Sequence, residues 1–107
     1  LILDEPTAHL DIGFQSDVLD VIEEIRRASG MTVVTAMHDM TLAAQYCQRI
    51  ALMGRGIIHS LGRPEQVLTS EAVFEVFGVQ ASLMKHPVYG TPVVLPVGRS
   101  LPKPTIS

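Results

Sequence analysis

Two short apolar runs, each followed at once by ionisable residues, constrain the fold of this chain most. The first, "LIL" at residues 1–3, runs into "DEP", and the second, "MTVVTAM" at residues 31–37, runs into "HD". Short apolar runs bounded by turn residues are typical of buried strands in a parallel sheet. Pro6 ends the first run, and a proline pushes the residue before it toward extended backbone, so we expect Glu5 to be extended.

An amphipathic helix is predicted between the two strands. Asp11 has the residue type of an N-cap, and Gly30 has that of a helix end. Apolar residues recur at helical spacing between residues 13 and 29, which predicts an apolar stripe. The stripe consists of Phe14, Val18, Val21, Ile22, Ile25 and Ala28. A strand, a crossover helix and a second strand normally form a right-handed parallel pair, whose C-terminal ends share the sheet edge where ligands bind.

This connection brings Asp4, Glu5 and His38 toward one crevice. Side chains alternate along a strand, so the two carboxylates are expected to point in different directions and to suit two separate tasks. One carboxylate can hold a hard cation such as Mg²⁺, and the other can polarise a water molecule as a base. His38 can donate a hydrogen bond to a transferring phosphoryl group. The alternative is structural: the carboxylates begin a turn and cap a helix, and His38 is a satisfied histidine near a helix start.

The rest of the chain predicts a mixture of short helices and hairpins. The predicted elements are a helix over 40–47 capped by Asp39, a hairpin of "RIALM" and "IIHSLG" joined by "GRG", and helices at "PEQVLT" and 71–77. The character changes beyond Gly78, and "GRSLPKPTIS" is predicted to be a loose tail. We therefore expect a domain over residues 1–78 and a C-terminal extension over residues 79–107.

Acidic side chains are concentrated in the first part of the chain. Residues 1–39 hold eight acidic residues against two arginines, whereas residues 40–107 hold three acidic residues against six basic ones. No cluster of Lys and Arg is present, so nucleic acid is not an expected partner. The acidic part suits a metal ion or a basic partner, or it is a solvated helix face. Over the whole chain, 47% of the residues are hydrophobic and 18% are charged, which also indicates surface that another structure covers.

The motif "LILDEPTAHLD", followed by "VVTAMHD", resembles the C-terminal portion of the ATP-binding subunit of ABC transporters. The Asp-Glu-Pro-Thr sequence is similar to the end of the Walker B motif, which implies that Asp4 holds Mg²⁺ and that Glu5 activates the attacking water. "HLD" resembles the D-loop, whose aspartate, Asp11 here, communicates across a dimer of ATPase subunits. "HD" resembles the switch-histidine motif, which makes His38 the contact to the γ-phosphate.

The resemblance implies an α/β fold, the C-terminal part of a P-loop NTPase parallel sheet with flanking helices, followed by a β-hairpin and a loose tail. "RIALMGRGIIHSLGRPEQVLT" is similar to a segment of bacterial importers. "EAVFEVFGVQASLMKHPVYGTPVVLPVGR" resembles the end of ATPases that serve iron-siderophore, haem and cobalamin uptake. For this last segment the alternative is simple packing, with Phe74, Phe77 and Leu83 filling a small core.

The resemblance further implies an ATPase with ATP as substrate and Mg²⁺ as cofactor. Its implied partners are a second ATPase subunit, transmembrane permease subunits and, indirectly, a substrate-binding protein, at the cytoplasmic face of the inner or plasma membrane. The chain has no G-x-x-x-x-G-K-[ST] loop to cradle phosphates, so we expect Leu1 to lie inside a longer protein and the chain alone to be inactive. Two alternatives stay open: an ABC ATPase outside transport, and a non-catalytic interaction module.

Overall fold

The computed structural model describes residues 1–102 and residue 104. The elements follow in the order β1 (Ile2–Asp4), α1 (Ile12–Ser29), β2 (Val34–Ala36), α2 (Met40–Tyr46), β3 (Ile50–Gly54), β4 (Ile57–Gly62), α3 (Pro64–Val67), α4 (Ser70–Phe77), β5 (Ala81–Lys85) and β6 (Pro92–Pro96). Part of the predicted loose tail, residues 103 and 105–107, lies outside the described residues.

The strands β1 and β2 form the predicted parallel pair, with α1 as the crossover between them. Asp4 lies opposite Ala36 in the register. The Asp11 side chain accepts a hydrogen bond from the Phe14 amide, and α1 ends at Gly30, whose φ of 68° is left-handed. The predicted N-cap and helix end of α1 are therefore confirmed, because both depend on local chemistry that the residue types supply.

The apolar stripe of α1 is largely uncovered in the described part of the chain. Phe14, Val21 and Ile25 are 60%, 53% and 44% exposed, and Leu19 is the buried residue of the helix. On the polar side, the carboxylate of Glu23 accepts hydrogen bonds from Arg26 at 2.6 Å and Arg27 at 3.0 Å. The bond from Arg26 lowers the pKa of Glu23. The other acidic side chains of α1, Asp17, Asp20 and Glu24, are exposed and form a solvated helix face.

The hydrophobic core lies in the second part of the chain, between α2, the hairpin β3–β4 and the helices α3 and α4. Its buried members are Ala44, Leu52, Val67, Leu68, Ala72 and Val73. Partly buried residues from β5 and β6 pack against it as well. Val94 on β6 also donates its amide to Thr41 Oγ1 of α2 at 3.0 Å. Residues on both sides of Gly78 thus contribute to one core, and the division of the chain at that residue stays a prediction.

The packing alternative placed Phe74 and Phe77 in this core, and that expectation is wrong. The two rings are 55% and 46% exposed, whereas Val73 is 1% exposed. Neighbouring positions on a helix point in different directions, so the face of α4 that meets β3 carries Val73 and not Phe74. The contact is close: a Cβ atom on Gly54 would lie 3.0 Å from Val76 Cγ1. Leu83 packs partly buried against the core, as that alternative expected.

Both predicted hairpins are present. The strands β3 and β4 pair antiparallel, and Arg55 and Gly56 between them have φ of 53° and 74°, a combination that suits a two-residue hairpin turn. The strands β5 and β6 pair antiparallel, with Lys85 opposite Pro92. In the connecting loop, His86 Nδ1 accepts a hydrogen bond from the Val88 amide at 3.1 Å. No helix among residues 1–102 has the length and apolar character needed to cross a membrane.

Candidate functional site

The candidate site lies where β1 and β2 end at the same edge of their sheet. The Glu5 amide donates a hydrogen bond to the Ala36 carbonyl at 2.8 Å, so the ladder continues one residue past β1. His38 Nε2 lies 3.1 Å from Glu5 Oε1. The structure therefore brings together two of the three residues that the topology predicts to meet, Glu5 and His38, and shows no contact of Asp4 with either side chain. Their side chains differ in exposure, 92% for His38 and 26% for Glu5.

The backbone of Glu5 differs from the extended conformation expected before a proline. Its φ is 49°, in the left-handed region. Two hydrogen bonds explain the difference, because the Glu5 amide bonds to Ala36 in the sheet while the Glu5 carbonyl accepts from the Ala8 amide at 3.1 Å. The chain has to leave the sheet and turn at a single residue, and the left-handed conformation allows both bonds. The expectation of extended Glu5 is therefore wrong.

Asp4 is the last residue of β1, and its side chain is exposed. The described residues contain no group of three or more His, Cys, Asp or Glu side chains that could hold a metal ion. Mg²⁺ usually takes one or two carboxylates and completes its shell with water and substrate phosphates. A single exposed carboxylate at this edge therefore fits Mg²⁺ that arrives with a nucleotide, and does not fit a metal held by protein ligands alone.

Asp11 lies at the end of two consecutive turns that follow β1. The Ala8 amide bonds to the Glu5 carbonyl, and the Leu10 amide bonds to the Thr7 carbonyl at 3.3 Å. Thr7 is 5% exposed, which no periodic pattern in the sequence signals. Asp11 Oδ1 accepts the Phe14 amide at 3.1 Å. The structure thus gives Asp11 a capping role at α1, and its expected role across a dimer stays a prediction.

The position of His38 depends on α2, which begins directly after it. Asp39 Oδ1 accepts the Leu42 amide at 3.0 Å and caps this helix. At the other end of α2, the Tyr46 hydroxyl donates to Asp20 Oδ1 of α1 at 2.7 Å. Burial, followed by this hydrogen bond, raises the pKa of Tyr46 to about 12. Sequence reasoning missed the contact, because nothing local connects residues on two different helices.

A surface groove lies elsewhere in the described part of the chain. It has a volume of about 480 Å³, lies between α4 and β5, and is lined by residues that include Phe74, Gln80 and Val97. None of the predicted site residues lines it. The edge that carries Glu5 and His38 is instead an open surface. Such a surface can present catalytic side chains to a ligand that other structure holds in place.

No family model matches the chain, but curated proteins and solved structures are similar to it. The ferric enterobactin transport ATP-binding protein of Escherichia coli is 35% identical over 102 residues, 95% of this chain and 38% of that protein. The hemin import ATP-binding protein of Gloeobacter violaceus is 45% identical over 98 residues, 92% of this chain and 35% of that protein. The chain thus spans between 35% and 38% of the length of these two curated relatives.

Two solved structures share the fold. A metal-chelate type ABC transporter in an inward-facing conformation superposes with a TM-score of 0.79 at 23% identity, over 92% of this chain and 40% of that chain. The protein cbiO1 of Clostridium perfringens, part of the ABC transporter complex cbiONQ, has a TM-score of 0.60 at 33% identity, over 70% of this chain and 30% of that chain. The predicted fold and the predicted resemblance are confirmed by these similarities.

Proposed function

We propose that this chain, a homologue of the ATP-binding subunits of ABC importers, carries the metal-binding and water-activating side of an ATP-hydrolysis site. In this proposal Glu5 is the general base, His38 contacts the γ-phosphate, Asp4 holds Mg²⁺ and Asp11 acts across a dimer of two ATPase subunits. The observation that carries the proposal is the distance of 3.1 Å between Glu5 Oε1 and His38 Nε2.

Glu5 and His38 differ in a way that suits their two roles. The Glu5 side chain is half-buried and its backbone is fixed by two hydrogen bonds, so the carboxylate is held in one place to accept a proton from water. The imidazole of His38 is almost fully exposed, so it is accessible to a phosphoryl group. An N–H at Nε2 of this imidazole can donate a hydrogen bond to a phosphate oxygen.

Asp4 is the residue that would hold Mg²⁺. Its exposed carboxylate at the end of β1 can offer one oxygen, directly or through a water molecule. When bound, Mg²⁺ neutralises charge that develops on the phosphate oxygens. Because Asp4 precedes Glu5 directly, the metal-binding carboxylate and the base are neighbours in the chain but remain two separate groups.

The transported cargo in the proposal is an iron chelate or haem, since the relatives are named for ferric enterobactin transport and hemin import. The subunit would work as a dimer, bound to transmembrane permease subunits at the cytoplasmic face of the membrane. A substrate-binding protein would deliver the cargo to the permease. The residues described here face ATP rather than the cargo, so the permease and the binding protein would choose among chelates.

The proposal is tested in two steps. The first reads the coding sequence upstream of Leu1, where a phosphate-binding glycine loop with its lysine is expected. The second expresses the whole reading frame with its permease and measures phosphate release. We expect Glu5→Gln to reduce turnover about 10²- to 10⁴-fold, the usual contribution of a general base. Glu24→Gln, which changes an exposed glutamate of α1, is the matched control and should leave turnover unchanged.

Three outcomes would contradict the proposal. Turnover that survives Glu5→Gln would show that Glu5 is not the general base. Turnover by the 107-residue chain alone would show that hydrolysis needs no phosphate-binding glycine loop. Turnover without any association with permease subunits would favour an ABC ATPase outside transport.

A further inference from the structure

The strand β5 has one edge that pairs with β6 and another edge that faces away from it. In an antiparallel pair, alternate residues exchange hydrogen bonds with the partner strand, and the residues between them direct their amide and carbonyl outward. The Val97 amide donates to the Gln80 carbonyl at 2.8 Å, and the His86 amide donates to the Thr91 carbonyl at 2.7 Å. The even-numbered positions of β5 therefore bond to β6, and the odd-numbered positions direct their backbone groups outward. These are Ala81, Leu83 and Lys85.

The outer edges of the two strands differ in the hydrogen-bond donors that they offer. On β6, Pro92 and Pro96 have no amide hydrogen, and the outward amide of Val94 donates to Thr41 Oγ1. On β5, all three outward residues keep their amides. Within the part of the chain that the structure describes, β5 has no second strand beside it, and no other backbone group bonds to these amides. An unpaired edge of this kind is a template for another strand.

The outer edge of β5 is complementary to itself. Two copies can pair antiparallel about a two-fold axis at Leu83, so that Leu83 lies opposite Leu83 and Ala81 lies opposite Lys85 of the other copy. Every outward amide then meets an outward carbonyl, because both members of each opposite pair direct both groups to the partner. The same register places Ser82 opposite Met84, and both are exposed.

Charge complementarity favours a second copy of this chain as the partner. Glu71 of α4 and Ala81 line the same groove of about 480 Å³. Opposite residues of an antiparallel pair share a sheet face, so Lys85 of a second copy would lie on the face of Ala81 and next to Glu71. Both charged side chains are exposed, and neither takes part in an ion pair among the described residues. The two-fold axis makes this contact twice.

We propose that the outer edge of β5 binds a second copy of this chain by antiparallel strand pairing, with Lys85 of each copy beside Glu71 of the other. The interface needs neither a nucleotide nor the residues of the candidate site. It is therefore independent of the proposed function, and it can be measured in the chain as it stands. A contact through one short strand buries little surface, so the association is weak and is best measured by trapping.

The test traps the register with disulfides in the 107-residue chain. Ser82→Cys and Met84→Cys are made separately, each together with Cys47→Ala, and the two variants are mixed under mild oxidation. In the proposed register, position 82 lies about 4.5 Å from position 84 of the other copy, whereas identical positions lie about 7–8 Å apart. A disulfide bridges the first distance and not the second, so we expect the mixed disulfide to exceed either same-site disulfide about tenfold. Mass spectrometry distinguishes the products.

A charge exchange tests the contact between the two copies. Lys85→Glu should lower the yield of the mixed disulfide about threefold to tenfold, because an exposed ion pair that is made twice becomes two repulsions. Adding Glu71→Lys to the same chain should restore the yield. Arg49→Glu reverses the charge of an exposed residue before β3 and is the matched control, which should leave the yield unchanged. All substituted positions of β5 and α4 are exposed, and the amide resonances of β5 and β6 check that the hairpin is kept.

Two results would overturn the proposal. A statistical mixture of the mixed and same-site disulfides would show collisions without a register, as association through the exposed apolar stripe of α1 would produce. A yield that Lys85→Glu leaves unchanged, or that Glu71→Lys does not restore, would show that these two residues do not meet. ATP turnover has no part in either measurement, so failure of this proposal and failure of the proposed function are distinguishable.

Discussion

His38 Nε2 lies 3.1 Å from Glu5 Oε1, although one residue follows β2 and the other follows β1. The parallel register produces this contact, because Asp4 opposite Ala36 brings the ends of both strands to one edge. The contact joins a half-buried carboxylate to an exposed imidazole. Glu5, which follows β1, thus contacts His38, which follows β2. We therefore expect substitutions of these two residues to have coupled effects.

The first prediction concerns Glu5 and His38 in the protein expressed from the whole reading frame. We expect the losses in kcat from Glu5→Gln and His38→Ala to be non-additive, with the double variant about as slow as the slower single variant, because groups in contact act together. His59→Ala is the control, since His59 contacts Glu75 and not the candidate site. Losses that multiply in the double variant would show that Glu5 and His38 act independently.

The parts of the fold that local chemistry determines could be predicted from the sequence. Asp11 and Asp39 cap their helices, Gly30 ends α1, and the parallel pair follows from a strand, a helix and a second strand. The meeting of Glu5 and His38 could be predicted for the same reason, since the connection alone sets the edge at which both strands end.

The parts that depend on tertiary contacts could not be predicted. A proline generally favours extended backbone at the residue before it, which predicts an extended Glu5. In the structure, however, the Glu5 backbone is hydrogen-bonded both to the sheet and within a turn. Phe74 is larger than its neighbours, yet Val73 is the buried residue because the phase of α4 is set by its packing. Tyr46 and Asp20 meet across two helices, and no sequence spacing indicates such a pair.

The second prediction compares the two neighbours on α4. Val73 is 1% exposed, so Val73→Ala leaves a cavity and should lower the free energy of unfolding by about 2–4 kcal/mol. Phe74 is 55% exposed, and Phe74→Ala should cost about 1 kcal/mol or less. The midpoints of urea unfolding give both values. A larger loss of unfolding free energy for Phe74→Ala than for Val73→Ala would instead support a core filled by the aromatic side chains.

The third prediction concerns the cap of α2. Asp39 Oδ1 accepts a hydrogen bond from the Leu42 amide, and Ala44 on the same helix is buried in the hydrophobic core. Fraying of α2 should therefore lower the stability of that core. We expect Asp39→Ala to lower the free energy of unfolding by about 1 kcal/mol. Asp39→Asn keeps a side-chain acceptor and should cost much less. Equal losses for the two variants would show that the charge, and not the cap, is important.

The fourth prediction uses two glycines at opposite ends of α1. Gly30 has a left-handed φ of 68°, so Gly30→Ala should destabilise the helix by about 1 kcal/mol although nothing crowds the added Cβ. Gly13 lies inside the helix with Asp11 Oδ1 at an ordinary 3.7 Å, so Gly13→Ala should stabilise it by about 0.5–1 kcal/mol. Amide exchange along α1 measures both. Changes of the same sign would contradict the helix end at Gly30.

The fifth prediction is a pH dependence that arises at the contact between α1 and α2. Burial and the hydrogen bond to Asp20 raise the pKa of Tyr46 to about 12, from an ordinary value of about 10. The folded chain therefore holds this proton more tightly than the unfolded chain, and the associated stability is present below pH 10 and is lost as the pH rises toward 12. Tyr46→Phe has no such proton, so its unfolding free energy should fall less steeply across that range. Parallel curves for the two proteins in urea unfolding would show that Tyr46 titrates normally and that its contact with Asp20 does not join the helices.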